Sequence, residues 1–76
     1  MKITRATITQ TDATDVIFTI DGAEALVNRN STMIPGTELL AGAVVGDMFE
    51  VEYFIVPPPN LDAGPVVTKI LRKASQ

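Results

Sequence analysis

These 76 residues contain no cysteine, no histidine and no tryptophan. Without cysteine there is no disulfide framework and no thiolate metal site. Without histidine, the commonest transition-metal ligand and the usual acid–base group near neutral pH are both gone. Serine occurs only as Ser31 and Ser75, so an activated serine nucleophile has almost no candidates. No glycine-rich phosphate loop and no calcium-loop run of aspartates is present. The residue set therefore argues against an enzyme and predicts no cofactor and no metal. Aromatic residues are 5% of the chain, namely Phe18, Phe49, Tyr53 and Phe54, which leaves few platforms on which bases could stack.

Long apolar runs are also missing. The longest, Val51 to Val56, is broken by Glu52, and a membrane span needs about 20 apolar residues. The first ten residues, MKITRATITQ, lack the apolar core of a signal peptide. The chain reads as cytosolic, or located in the host cytoplasm if it is viral. On that reading, the acceptor-like triplet Asn30-Ser31-Thr32 is a chance match.

What is abundant is apolar surface. Hydrophobic residues make up 46% and the mean hydropathy is +0.25. A chain this short is one domain and buries only about 60% of the surface its unfolded form exposes. Some of the excess is therefore predicted to be covered by a second copy or another protein. The net charge is −3. Five of the six cations (Lys2, Arg5, Lys69, Arg72 and Lys73, all but Arg29) lie near the termini, and all nine acids lie between them. If the terminal strands meet, the domain has a basic end and an acidic body.

Residues 2–9 are rich in β-branched side chains and predict a first strand. Residues 10–14 are polar and mark a turn. Residues 15–21 alternate, with Val16, Phe18 and Ile20 on one side, and predict a second strand with one buried face. Asp21-Gly22 is a strong hairpin signal, so a third strand over 23–29 pairs antiparallel with the second. Pro35-Gly36 marks a turn. Thr37 is placed to cap a short helical turn that Gly42 ends. Residues 48–56 form the longest strand. Phe49, Val51, Tyr53 and Ile55 share one face; Glu50 and Glu52 lie on the other, where Phe54 and Val56 predict that the far end is covered. Pro57-Pro58-Pro59 cannot continue a central strand. A last strand over 66–73 is predicted with Val66, Thr68 and Ile70 on one side and Val67, Lys69 and Leu71 on the other. Five antiparallel strands with one helical turn between the third and fourth predict an all-β, small closed barrel, OB-like or SH3-like.

Gly22-Ala23-Glu24-Ala25-Leu26-Val27, following the strand that holds Phe18, resembles the middle of S1-type RNA-binding domains. These are oligonucleotide/oligosaccharide-binding (OB) barrels that often read Gly-x-Glu-Gly-Leu-Val there. Val45-Gly46-Asp47 before Met48-Phe49-Glu50-Val51 resembles their approach to the fourth strand, and the likeness spans about residues 5–56. The resemblance implies an OB barrel and single-stranded RNA as ligand. On the ligand face the match is thin. Phe18 stands at one aromatic position, Asp15 at the other, Asn28 at the histidine position, and Pro65 or Val66 where a cation is expected.

Two functions follow as expectations. The first is a protein-interaction module: a self-associating accessory subunit, or a small phage-type inhibitor that occupies a basic surface of a host protein. Glu50 and Glu52, with Asp12 and Asp15, would supply charge, and Phe54, Val56, Pro58 and Leu61 an apolar anchor. The three prolines lack PxxP spacing, because position 60 is Asn60. The second is single-stranded nucleic-acid binding through Phe18, Asn28, Arg29, Lys69, Arg72 and Lys73, with Tyr53 and Phe54 as further stacking candidates. A net negative charge opposes it, since phosphate attraction dominates such binding.

Overall fold

The computed structural model describes residues 1–61 and 63–74. The elements are β1 (Lys2–Thr11), β2 (Asp15–Ile20), β3 (Ala23–Asn28), a 3-10 turn (Thr37–Leu40), β4 (Met48–Val56) and β5 (Gly64–Lys73). All strand pairs are antiparallel, in the order β3-β2-β1-β4-β5. The sheet curls so that β3 lies against β5 without a ladder between them, giving a half-barrel.

The β2–β3 hairpin follows from its turn. Asp21 and Gly22 have φ of 52° and 82°, the two positive values that match the twist of a two-residue hairpin. The register Ile20↔Ala23 to Asp15↔Asn28 runs without a slip. It turns Val16, Phe18, Ile20, Ala25 and Val27 inward. They meet Ala6 and Ile8 of β1, Phe49, Val51 and Tyr53 of β4, and Val67 and Ile70 of β5, with Leu40 and Ala43 closing one end. Phe18 and Phe49 meet edge to face, with centroids 6.1 Å apart and planes at 79°, a favoured aromatic geometry.

Alternation fails in β5, and bulges are the reason. Tyr53 pairs with Val67 and Glu52 with Lys69, which leaves Thr68 as an extra residue. Val51 pairs with Ile70 and Glu50 with Arg72, which leaves Leu71 as another. Each extra residue reverses the inside–outside phase. Val67 and Ile70 therefore point inward together, while Val66 and Lys69 are exposed, contrary to strict period two. The Thr68 hydroxyl donates to the Glu52 carbonyl at 3.2 Å and satisfies one group at the first bulge. A similar slip at Thr9 separates Ile8↔Phe18 from Gln10↔Ile17 in β1.

Two other expectations change, and the place of Ile55 is refined. Thr37 does not cap the 3-10 turn. Gly36 holds that position, and the Thr37 hydroxyl, buried, donates to the Ser31 carbonyl at 2.9 Å. Ile55 lies on the inward side but is 45% exposed, because the β1–β4 ladder ends at Lys2↔Tyr53. Finally, the terminal strands are not neighbours: β4 runs between β1 and β5. Its acids sit among their cations, so the charges interleave instead of gathering into a basic end.

Gly36 ties the 3-10 turn to the sheet. The Pro35 carbonyl accepts from the Ile70 amide at 2.9 Å. Gly36 has φ 91°, and a Cβ there would stand 2.0 Å from the Ile70 carbonyl oxygen. Only glycine fits both the left-handed backbone and this approach.

Candidate functional site

The register defines two ends. One holds the β1–β2 turn, the long β3–β4 connection and the close of β5. The other holds the Asp21-Gly22 turn and the β4–β5 hairpin.

At the first end, Arg29 organises the loops. Its Nε donates to the Asp12 carbonyl at 3.0 Å and one Nη2 bond reaches the Ala43 carbonyl at 2.8 Å. Further bonds go to the Leu40 carbonyl and the Thr11 hydroxyl. Its own amide donates to the Thr14 carbonyl at 2.8 Å. The planar guanidinium fork suits this task, since one group satisfies acceptors from two loops and a strand. Asp12 closes the adjoining turn: Oδ1 accepts the amides of Asp15 at 2.8 Å and Thr14 at 2.9 Å, and the Thr14 hydroxyl at 3.1 Å. These bonds, the Asp15 amide first, hold its carboxyl below the ordinary aspartate range, with the Arg29 charge adding a smaller pull. Asp47 Oδ2 accepts the Val44 amide at 3.1 Å. An open cleft of about 540 Å³ lies here, lined by Asp12, Arg29, Asn30, Glu38, Ala41 and Val44 among others.

The residues proposed for nucleic acid are dispersed or engaged. Phe18 is 0% exposed and Tyr53 is buried, so neither offers a face to a base. Arg29 is the loop tie just described. Asn28 ends β3, and its Oδ1 accepts the Asn30 amide at 2.7 Å. Arg72 Nε stands 3.1 Å from Glu50 Oε1, and Lys73 Nζ stands 3.9 Å from Asp47 Oδ2. Lys69 is exposed opposite Glu52. Of the aromatics, Phe54 alone reaches solvent, at 40% exposure.

The residues proposed for a protein interface converge better. Glu50, Glu52, Phe54 and Val56 share the outward face of β4 by alternation. Across the strands they form rows: Arg5–Glu50–Arg72, Ile3–Glu52–Lys69, then Phe54–Val66. The face thus grades from ionic to apolar toward the hairpin. Val56 is half-buried; Pro58 and Leu61 are exposed in the connecting loop. Asp12 and Asp15 lie at the other end and do not join this face.

Sequence reasoning missed Met1, Ile3, Ile55 and Val66 here, all exposed. Ile3 was detectable, because Ala6 and Ile8 fix the inward phase of β1 and leave Ile3 outside. Met1 lies nearby: its Sδ stands 3.6 Å from the Thr68 hydroxyl oxygen. Met33, Leu39, Val44 and Val45 are exposed along the β3–β4 connection, outside this face.

Among the described residues, no group of three or more Asp or Glu is arranged to hold a metal ion. No helix there is long and apolar enough to cross a membrane. Comparison with family models, with curated proteins and with solved structures finds no match.

Proposed function

We propose that this chain is a non-enzymatic protein-interaction module that binds through the outward face of β4 and the β4–β5 hairpin. The observation that carries this reading is the distribution of exposed apolar groups. Met1, Ile3, Phe54, Ile55, Leu61 and Val66, six of the eleven large apolar side chains exposed among the described residues, belong to that face or that end; Met33, Leu39, Val44 and Val45 are spread along the β3–β4 connection and Leu26 stands on β3. Exposed apolar groups gathered together mark interaction sites, whereas scattered ones need no explanation. A barrel of the OB kind is the framework we favour: a partly open, five-stranded Greek-key barrel agrees with β1 lying between β2 and β4, and with β3 lying against β5.

Single-strand binding, whether to RNA or DNA, is the second reading, supported by exposed Lys69, Arg72 and Lys73 on β5. It is weaker because Arg72 and Lys73 have acidic neighbours and the chain has a net charge of −3. Anisotropy of labelled single-stranded RNA and DNA, titrated at about 50 mM salt, decides between the two. The expected result is no saturable change. Saturable binding that weakens steeply with salt, and that is lost in Lys69→Ala, would reverse the choice.

A further inference from the structure

We infer that the open cleft at the Arg29 end is a binding site for a guanidinium group carried on an alkyl stem, as in an arginine side chain. The inference goes beyond the interaction reading above and shares no residue with the β4 face. The cleft measures about 540 Å³, within the range of ligand sites, about 300–1,000 Å³. Three segments wall it: the β1–β2 turn with Asp12 and Ala13, the residues after β3 with Arg29 and Asn30, and the connection between Thr37 and Val44.

The class of ligand follows from which polar groups are still uncommitted. Donors are nearly used up. Four of the five Arg29 N–H bonds go to the Asp12, Leu40 and Ala43 carbonyls and the Thr11 hydroxyl. The Thr37 hydroxyl donates to the Ser31 carbonyl. The amides of Ala41, Ala43 and Val44 donate to the Glu38 carbonyl, the Leu40 carbonyl and Asp47 Oδ2. Acceptors remain. Asp12 Oδ1 takes three bonds, whereas Oδ2 takes none among the described residues. The Glu38 carboxylate is exposed and pairs with neither a donor nor a cation there. Charge agrees, since the lining sets Asp12 and Glu38 against Arg29 alone. An anion would meet spent donors and an excess of its own charge. A cation that donates meets free carboxylate oxygens, the stronger kind of hydrogen bond.

Shape and hydration select guanidinium over ammonium. Asp12 and Glu38 stand on different loops, and a planar guanidinium donates from several edges and can engage both. An ammonium is a compact, strongly hydrated charge that loses more water on entering. The walls beside the carboxylates are short. Ala13, Ala41 and Gly42 leave room for a stem, and a Cβ on Gly42 would meet nothing within 4 Å. Exposed Val44 offers that stem an apolar contact. The loops are already tied by Arg29 and by the Pro35–Ile70 bond, so binding has little left to order.

Amide chemical shifts of the full chain, titrated with N-acetylarginine N-methylamide, test this. Saturable shifts are expected at Ala13, Asn30, Ala41 and Val44, with Phe54 unmoved and a Kd on the order of 1 mM. Glu38→Gln keeps the side chain's size and removes its charge. It is expected to weaken binding about tenfold and to leave the thermal melt unchanged. Ala41→Trp fills the cleft and is expected to abolish the shifts. The matching lysine compound is expected to bind at least about threefold more weakly. Argininamide, with a free α-amine, separates the sources. Binding no tighter than that of the blocked compound assigns the site to an arginine within a partner chain; tighter binding assigns it to a free small molecule. Either result upholds the site.

No saturable shift up to about 50 mM, well above the expected Kd, overturns the site. Affinity unchanged in both Glu38→Gln and Ala41→Trp overturns its placement in this cleft. A lysine compound that binds as tightly as the arginine one overturns guanidinium as the class. Each of these failures leaves the β4 reading standing, because that surface is probed through other residues.

Discussion

Arg29 and Leu61 stand at opposite ends of one half-barrel, and their surroundings differ in kind. Around Arg29, loop carbonyls, the Asp12 turn and the Gly36 contact are tied to one another by hydrogen bonds. Around Leu61 the hairpin carries Phe54, Ile55 and Val66 into solvent, beyond the last β1–β4 pair. A 76-residue domain has too little interior to fasten both ends by burial. The Arg29 end commits Arg29 and Asp12 Oδ1 to its own loops and leaves Met33, Leu39, Val44 and Val45 exposed along the β3–β4 connection. The hairpin end leaves Phe54, Ile55, Leu61 and Val66 exposed beside the ionic rows of β4, the arrangement we propose as a binding surface.

The sharpest way to break this contrast is at Gly36. Gly36→Ala drives a methyl group into the Ile70 carbonyl and forces alanine into a left-handed backbone. The expected loss is about 3 kcal/mol or more. Total stability for a chain of this length is roughly 4–11 kcal/mol, so a thermal melt should show a large fall or no transition. Arg29→Lys comes next. A single ammonium cannot reach every acceptor of the fork, and the loss should be about 2 kcal/mol. That corresponds to a fall in Tm of roughly 8–16 °C.

Equivalent cuts at the other end should do far less to the fold. Phe54→Ser removes a cross-strand contact with Val66, expected to be worth under about 1 kcal/mol in urea unfolding. A loss as large as that of Arg29→Lys would mean that the hairpin is part of the fastened body. The smallest effect is confined to acid. The Asp12 carboxyl is held below its ordinary range in the folded chain. Its contribution is therefore complete above the unfolded-state value and lost as pH falls through the lower, folded one, below about pH 4. Asp12→Asn keeps an oxygen for the Thr14 and Asp15 amides without the charge. Stability against pH should therefore be flatter below about pH 4 than in wild type, as read from melts at stepped pH.

Most of the fold was legible because its signals are local. Asp21-Gly22 and the alternation Val16-Phe18-Ile20 set a hairpin and its inner face, and Phe49, Val51 and Tyr53 did the same for β4. β5 was misread because a bulge inserts a residue without a local mark: nothing about Thr68 or Leu71 announces that the partner strand skips it. The face of Ile55 was legible but its exposure was not, because alternation gives the side of the sheet, not where the neighbouring strand stops. Arg29 looked like a phosphate ligand because its acceptors, the carbonyls of Asp12, Leu40 and Ala43, come together only after folding. The candidate face was half legible: Glu50, Glu52 and Phe54 follow from β4 alone, whereas Ile3 and Val66 needed the register of both neighbours.

Amide hydrogen exchange on the full chain tests the contrast between the two ends most directly. Slow exchange is predicted for the amides of Arg29 and Ile70, which donate to the Thr14 and Pro35 carbonyls, and fast exchange across the hairpin at Ile55 and Leu61. Exchange at the hairpin as slow as at Arg29 and Ile70 would contradict it.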